Sequence, residues 1–121
     1  MLIEDNEDIR ESAAELLKIY GYDVLKAASG EMALTMIDNQ NPDLIICDVV
    51  MPGIDGYELL YTLRKSGIFV PFIFSTAKSE RNDRLRGIEL GAVAYLVKPF
   101  GETELLECIK SGFRSQSENI I

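Results

Sequence analysis

A chain of 121 residues suffices for one domain with a proper core and is too short for two. Hydrophobic residues make up 47% of it, but no apolar stretch reaches bilayer length and no signal peptide is visible, so the expectation is a soluble cytoplasmic protein without a membrane partner. With 20 acidic against 12 basic side chains the net charge of −8 repels nucleic acid phosphates, and the lack of histidine removes Ser-His-Asp and Cys-His chemistry and weakens any case for zinc.

Leu2-Ile3 reads as the end of a short strand. The helix that follows is capped by Asn6, carries Ile9, Ala13, Leu16, Leu17 and Tyr20 on one 3.6-period face, and stops at Gly21. Asp23 to Ala28 is expected to be a second strand, after which Ser29 caps a helix carrying Ala33, Met36 and Ile37. The third strand runs from Asp43 to Cys47. Asp55-Gly56-Tyr57-Glu58 has the form of a capping box and opens a helix with Leu59, Leu60 and Leu63 that stops near Gly67. Pro71 to Ser75 gives a fourth strand and Ala92 to Val97 a fifth, each too apolar for a half-exposed antiparallel strand. Between them lies a helix from about Glu80 to Leu90; its few apolar positions and internal Gly87 make it the least firmly held. The last helix spans about Glu102 to Arg114, and 116–121 reads as a linker or frayed end behind a domain of residues 1–115. Cys47 and Cys108, far apart in apolar patterns, suit buried reduced thiols.

Five β-then-α units with continuous apolar strands predict an α/β fold: a doubly wound, five-stranded parallel sheet of the flavodoxin-like (βα)5 type, strand order 2-1-3-4-5. In such sheets the site lies beyond the carboxyl ends of the strands. There the sequence places Glu4 and Asp5 after the first strand, Asp48 after the third, Ser75-Thr76 at the fourth and Lys98-Pro99 at the fifth, while the edge strand ends in Ala27-Ala28 and offers no chemistry. Three carboxylates on one rim repel each other unless a cation joins them, and oxygen-only ligands select a hard ion such as Mg²⁺. With its charge so neutralised, Asp48 could act as a carboxylate nucleophile and form an aspartyl phosphate. Lys98 and Thr76 would supply an ammonium and a hydroxyl for the phosphoryl oxygens.

From "LIEDN" through "DVVMPGIDG" and "FSTA" to "YLVKPF", in this order and over essentially the whole chain, the sequence resembles the receiver domains of two-component response regulators. The resemblance implies that Asp48 is the phosphoacceptor, that Glu4 and Asp5 are the acidic pair, and that Asp5 holds Mg²⁺ directly and Glu4 mainly through water, with the Val50 carbonyl a further ligand. Thr76 matches the switch hydroxyl, Tyr95 the switch aromatic and Lys98 the phosphoryl-contacting lysine, with Lys98-Pro99 as a cis peptide. The implied partners are a sensor histidine kinase or phosphotransfer protein, acting in trans since this chain has no histidine, and an output domain in a longer chain. The implied activity is not that of an enzyme: it is Mg²⁺-dependent self-phosphorylation and self-dephosphorylation at Asp48, switching the surface of helix 4, strand 5 and helix 5. The side chains of Val50 and Lys78 would frame the path of hydrolytic water.

Two other functions compete. A flavin-binding electron carrier of this fold needs a hydroxyl- and glycine-rich phosphate loop after the first strand, where this chain has Glu4-Asp5-Asn6-Glu7-Asp8. An aspartate-nucleophile phosphatase looks for a second acid two residues after the nucleophile, and that place is Val50.

Overall fold

Side chains along a strand alternate between the two faces of the sheet, and here the alternation builds two separate cores. Ile3, Ile45, Cys47, Phe72 and Phe74 point to one face, where they pack with Ala33, Ile37, Leu59, Leu60 and Leu63. Leu2, Ile46, Ile73 and Leu96 point to the other and meet Ala14, Leu17, Leu105 and Ile109. The computed structural model describes residues 1–77 and 81–118, the side chains of 81–83 and 115–118 excepted. Its strands are β1 (Leu2–Ile3), β2 (Lys26–Ala27), β3 (Ile45–Asp48), β4 (Phe72–Thr76) and β5 (Ala94–Val97). The helices are α1 (Glu7–Ile19), α2 (Gly30–Gln40), α3 (Gly56–Lys65), α4 (Arg81–Glu89) and α5 (Glu102–Glu118). The sheet is parallel throughout, in the predicted order β2-β1-β3-β4-β5. Helices α1 and α5 cover one face, α2 and α3 the other. No helix among the described residues is long and apolar enough to cross a membrane.

The predicted caps form. Asn6 Oδ1 accepts the Ile9 N–H at 3.0 Å, Ser29 Oγ the Met32 N–H at 3.1 Å, and Asp55 Oδ1 the Glu58 N–H at 2.8 Å, each satisfying an orphan donor of a first turn. Gly21 and Gly67, both at positive φ, turn the chain out of α1 and α3.

Several boundaries differ from the sequence expectation. β2 keeps only two of the six residues predicted for it, because the β1 strand beside it has only Leu2 and Ile3 to pair with. β3 and β4 are shifted toward their carboxyl ends: they start at Ile45 and Phe72 rather than Asp43 and Pro71 and end one residue further than expected, taking Asp48 and Thr76 into the ladder, and β5 starts later, at Ala94. On α1 the buried positions are Ala14 and Leu17, whereas Ile9 and Tyr20, expected on the inner face, are exposed. Those two side chains stand at the helix ends, and the Tyr20 hydroxyl reaches Glu102 at the start of α5. α5 continues through Glu118, past the expected end at Arg114, since no glycine or proline follows Gly112 to break it. Residues 119–121 of the expected linker lie outside the described residues, as does Glu80 at the expected start of α4. Cys47 is fully buried and burial pushes its thiol well up; Cys108, expected buried, is only half-buried.

Candidate functional site

Register places the site. Ile3 is paired with Cys47, so the next residues, Glu4 and Asp48, come side by side at the carboxyl ends of β1 and β3. Asp48 pairs with Ser75, which sets Thr76 one step beyond it, and Thr76 pairs with Val97, which delivers Lys98 to the same rim. The Lys98 N–H donates to the Thr76 carbonyl at 2.8 Å and fixes that corner. The Lys98-Pro99 peptide is cis, as expected.

One carboxylate oxygen from each of Glu4, Asp5 and Asp48 lies within 4.8 Å of the other two. Glu4 is 4% exposed and Asp48 9%, while Asp5 is exposed. Glu4 is held firmly: Oε2 accepts the Asn6 N–H at 3.3 Å, and its main-chain carbonyl accepts from Arg10 at 2.9 Å. Asp48 Oδ1 accepts the Val50 N–H at 3.3 Å. The Lys98 ammonium donates to Glu4 Oε1 and, at 3.3 Å, to Asp48 Oδ2. Burial pulls the Lys98 pKa down, but the hydrogen bond to Glu4 and the charges of Asp48 and Glu4 outweigh it and leave the pKa above the usual lysine value. The amine is therefore firmly charged at neutral pH. One ammonium against three clustered carboxylates leaves the rim negative. An all-oxygen donor set of this charge fits a hard dication of the Mg²⁺ kind, and nitrogen- or sulfur-seeking metals poorly.

Thr76 is 1% exposed at the end of β4. Tyr95, on β5, is half-buried with its ring centroid 6.0 Å from that of Phe74. Val50 contributes its N–H to Asp48, and the residue is 54% exposed. Lys78, the other residue expected to frame the water path, lies outside the described residues.

Three residues that the sequence did not single out for the site support it. Gly56 packs so tightly under the β3–α3 loop that a Cβ there would come within 2.5 Å of the Asp48 carbonyl, and its N–H donates to the Val49 carbonyl at 2.8 Å. Glu31, from α2, accepts the Ile54 N–H at 2.8 Å, a bond that holds its carboxyl below the usual range. Arg10 ties α1 to the Glu4 carbonyl. Glycine in a capping box was visible in the sequence; its close approach was not, and nothing local marks Glu31 or Arg10.

The comparisons with known proteins agree with this geometry. The family model described as response regulator receiver domain matches residues 1–110. A probable transcriptional regulator ycf27 of Porphyridium aerugineum is 44% identical over 114 residues, 94% of this chain and 47% of that protein. The alkaline phosphatase synthesis transcriptional regulatory protein PhoP of Bacillus subtilis is 38% identical over 94% of this chain and 48% of its own length. The chain thus spans about half the length of these relatives. Among solved structures, the receiver domain of Francisella response regulator 1452 superposes with a TM-score of 0.88 at 31% identity, covering 94% of this chain and 95% of that one. With five parallel strands in the order 2-1-3-4-5 and three acids and a lysine on the carboxyl rim, the chain belongs to the response regulator receiver domain family.

Proposed function

We propose that Asp48 accepts a phosphoryl group from a phosphohistidine on a sensor kinase or phosphotransfer protein, in the cytoplasm, and that the domain signals the event through α4, β5 and α5. The observation that carries this reading is the rim itself: three carboxylates within 4.8 Å of one another, with the Lys98 ammonium seated on two of them. A carboxylate oxygen of Asp48 attacks phosphorus, the bond to the donor's nitrogen breaks, and the imidazole leaves and is protonated from solvent. Lys98 lies beside Asp48 and can follow the charge onto the phosphoryl oxygens. Thr76 offers a hydroxyl once the group is attached, and Tyr95 responds to its displacement. Glu4, Asp5, Asp48 and the Val50 carbonyl would hold Mg²⁺, which supplies the positive charge that lets an anionic donor approach an acidic rim. Turnover of a separate substrate is not part of the reading, nor is direct contact with nucleic acid at a net charge of −8. The lengths of the relatives support an output domain as one partner, in a longer chain.

The test is intact mass after incubation with Mg²⁺ and acetyl phosphate. A gain of one phosphoryl group, blocked by chelation of the metal, is expected; an unchanged mass would sink the proposal. Asp5→Ala should weaken Mg²⁺ binding in titration calorimetry by more than about 100-fold, since even outer-shell partners of metal ligands are worth about 10–100-fold. Glu4→Ala should cost less, because its carboxylate is already engaged by Lys98 and Asn6. Equal affinity in wild type and Asp5→Ala would show that the metal is held elsewhere.

Lifetime is a separate expectation. Val50 is aliphatic and exposed, so it cannot orient a water for attack on the phosphoryl group. Val50→Asn is expected to speed loss of the group, followed by mass against time. A slower or unchanged decay counts against a water path past residue 50.

A further inference from the structure

Tyr57 and Tyr95 stand 38 positions apart in sequence, yet their hydroxyl oxygens face each other across 3.4 Å. Tyr57, second residue of α3, is 3% exposed, and its ring meets the Phe74 ring edge-on at 5.0 Å. Tyr95 leans on the same phenylalanine from β5. The two phenols therefore share one apolar support and meet at their polar tips, the arrangement in which a buried hydroxyl can be satisfied by another.

α4 rests on this cluster. Gly87 approaches Phe74 so closely that a Cβ would come within 2.9 Å of its ring and 3.5 Å of the Tyr95 ring. Among Arg84–Glu89, Gly87 is the one buried residue. The arginines on either side of it reach down to the tyrosines: the Arg86 guanidinium lies 4.4 Å from the Tyr57 ring centroid, and that of Arg84 lies 5.9 Å from the Tyr95 ring centroid. Both distances are within the range of cation–π attraction. Leu85 and Ile88, the large apolar side chains of this helix, are exposed.

We infer that Tyr57 is a positioning residue for the switch: its hydroxyl holds that of Tyr95, its ring holds Arg86, and it thereby makes the orientation of Tyr95 and the seating of α4 one two-state element. The inference rests on the reading of Asp48 as phosphoacceptor and Tyr95 as switch aromatic. Tyr57 belongs to α3, outside the α4, β5 and α5 surface, so it would be the fixed post against which that surface moves. Tyr57 is buried, so a Tyr95 held by it is drawn toward the core, and the contact would favour the inward arrangement that phosphorylation is proposed to select.

The test labels the five tyrosines with 3-fluorotyrosine and assigns each fluorine resonance by its Tyr→Phe variant. Without metal or beryllofluoride, Tyr57→Phe is expected to move the Tyr95 resonance, whereas Tyr61→Phe, which removes an exposed hydroxyl, leaves it in place. Arg86→Gln should move the Tyr57 and Tyr95 resonances together. In titrations of beryllofluoride with Mg²⁺, Tyr57→Phe should need about fivefold more of the phosphoryl mimic, the low end of typical coupling between sites. In a Tyr95→Phe background the same substitution should change the calorimetric affinity no further. A Tyr95 resonance indifferent to Tyr57→Phe overturns the inference, as does an affinity loss that persists without the Tyr95 hydroxyl. A Tyr57 resonance unmoved by Arg86→Gln removes α4 from the linkage. If the wild type neither gains a phosphoryl group nor binds beryllofluoride, the phosphoacceptor reading has failed, and the metal-free spectra still decide whether Tyr57 holds Tyr95.

Discussion

Asp48→Asn is expected to abolish phosphoryl uptake completely while leaving the fold intact. The amide nearly matches the carboxylate in shape, and its oxygen can still accept the Val50 N–H that Asp48 Oδ1 receives at 3.3 Å. It has no anionic oxygen with which to attack phosphorus. Electrostatically the change cuts both ways. Lys98 loses a partner at 3.3 Å, but the carboxylates of Glu4 and Asp5 lose a negative neighbour within 4.8 Å. The two effects oppose each other, so the loss of stability should stay well below the cost of about 3–5 kcal/mol for breaking an isolated buried pair. Intact mass with acetyl phosphate and Mg²⁺ reads the first outcome and thermal denaturation the second. Uptake that persists in Asp48→Asn would move the acceptor to another side chain.

The largest effect on stability is expected at Phe74. This ring is fully buried on β4 and meets Tyr57 at 5.0 Å and Phe72 at 5.1 Å, edge to face in both cases. It also carries the floor on which Gly87 sits. Phe74→Ala should cost about 3–5 kcal/mol, the sum of lost transfer energy and the cavity left among residues too well packed to collapse. For a chain of this length that corresponds to a fall in Tm of roughly 12–20 °C, and it is a large part of the roughly 5–15 kcal/mol that a domain has in total. Phe74→Leu, which keeps most of the volume, should cost about 1–2 kcal/mol. Urea denaturation of both variants is the check. A cost for the alanine variant below about 1 kcal/mol would mean that α4 and the two tyrosines close over the gap, and that this corner is far softer than its packing indicates.

Much of this protein is written in short stretches of sequence, because the signals there are local. Asn6, Ser29 and Asp55 cap helices through bonds to residues three positions on. The continuous apolar runs through Ile45-Ile46-Cys47 and Phe72-Ile73-Phe74 require a sheet covered on both faces, and five β-then-α units leave few ways to wind it. Glu4, Asp5, Asp48, Thr76 and Lys98 could be assigned to one rim because each stands at the carboxyl end of a strand, and parallel strands put those ends together. What depended on the partner strand was not legible: β2 shrank to Lys26–Ala27 because β1 is short, a fact of another segment. Nor could the sequence show that Lys98 sits on Glu4 as well as Asp48, that Gly56 must lack a Cβ to pass the Asp48 carbonyl, or that Tyr57 meets Tyr95. These are contacts between residues far apart in the chain, set by strand register and by how closely two elements approach. Periodicity fixes which face a side chain takes, and only the packed structure fixes what it finds there.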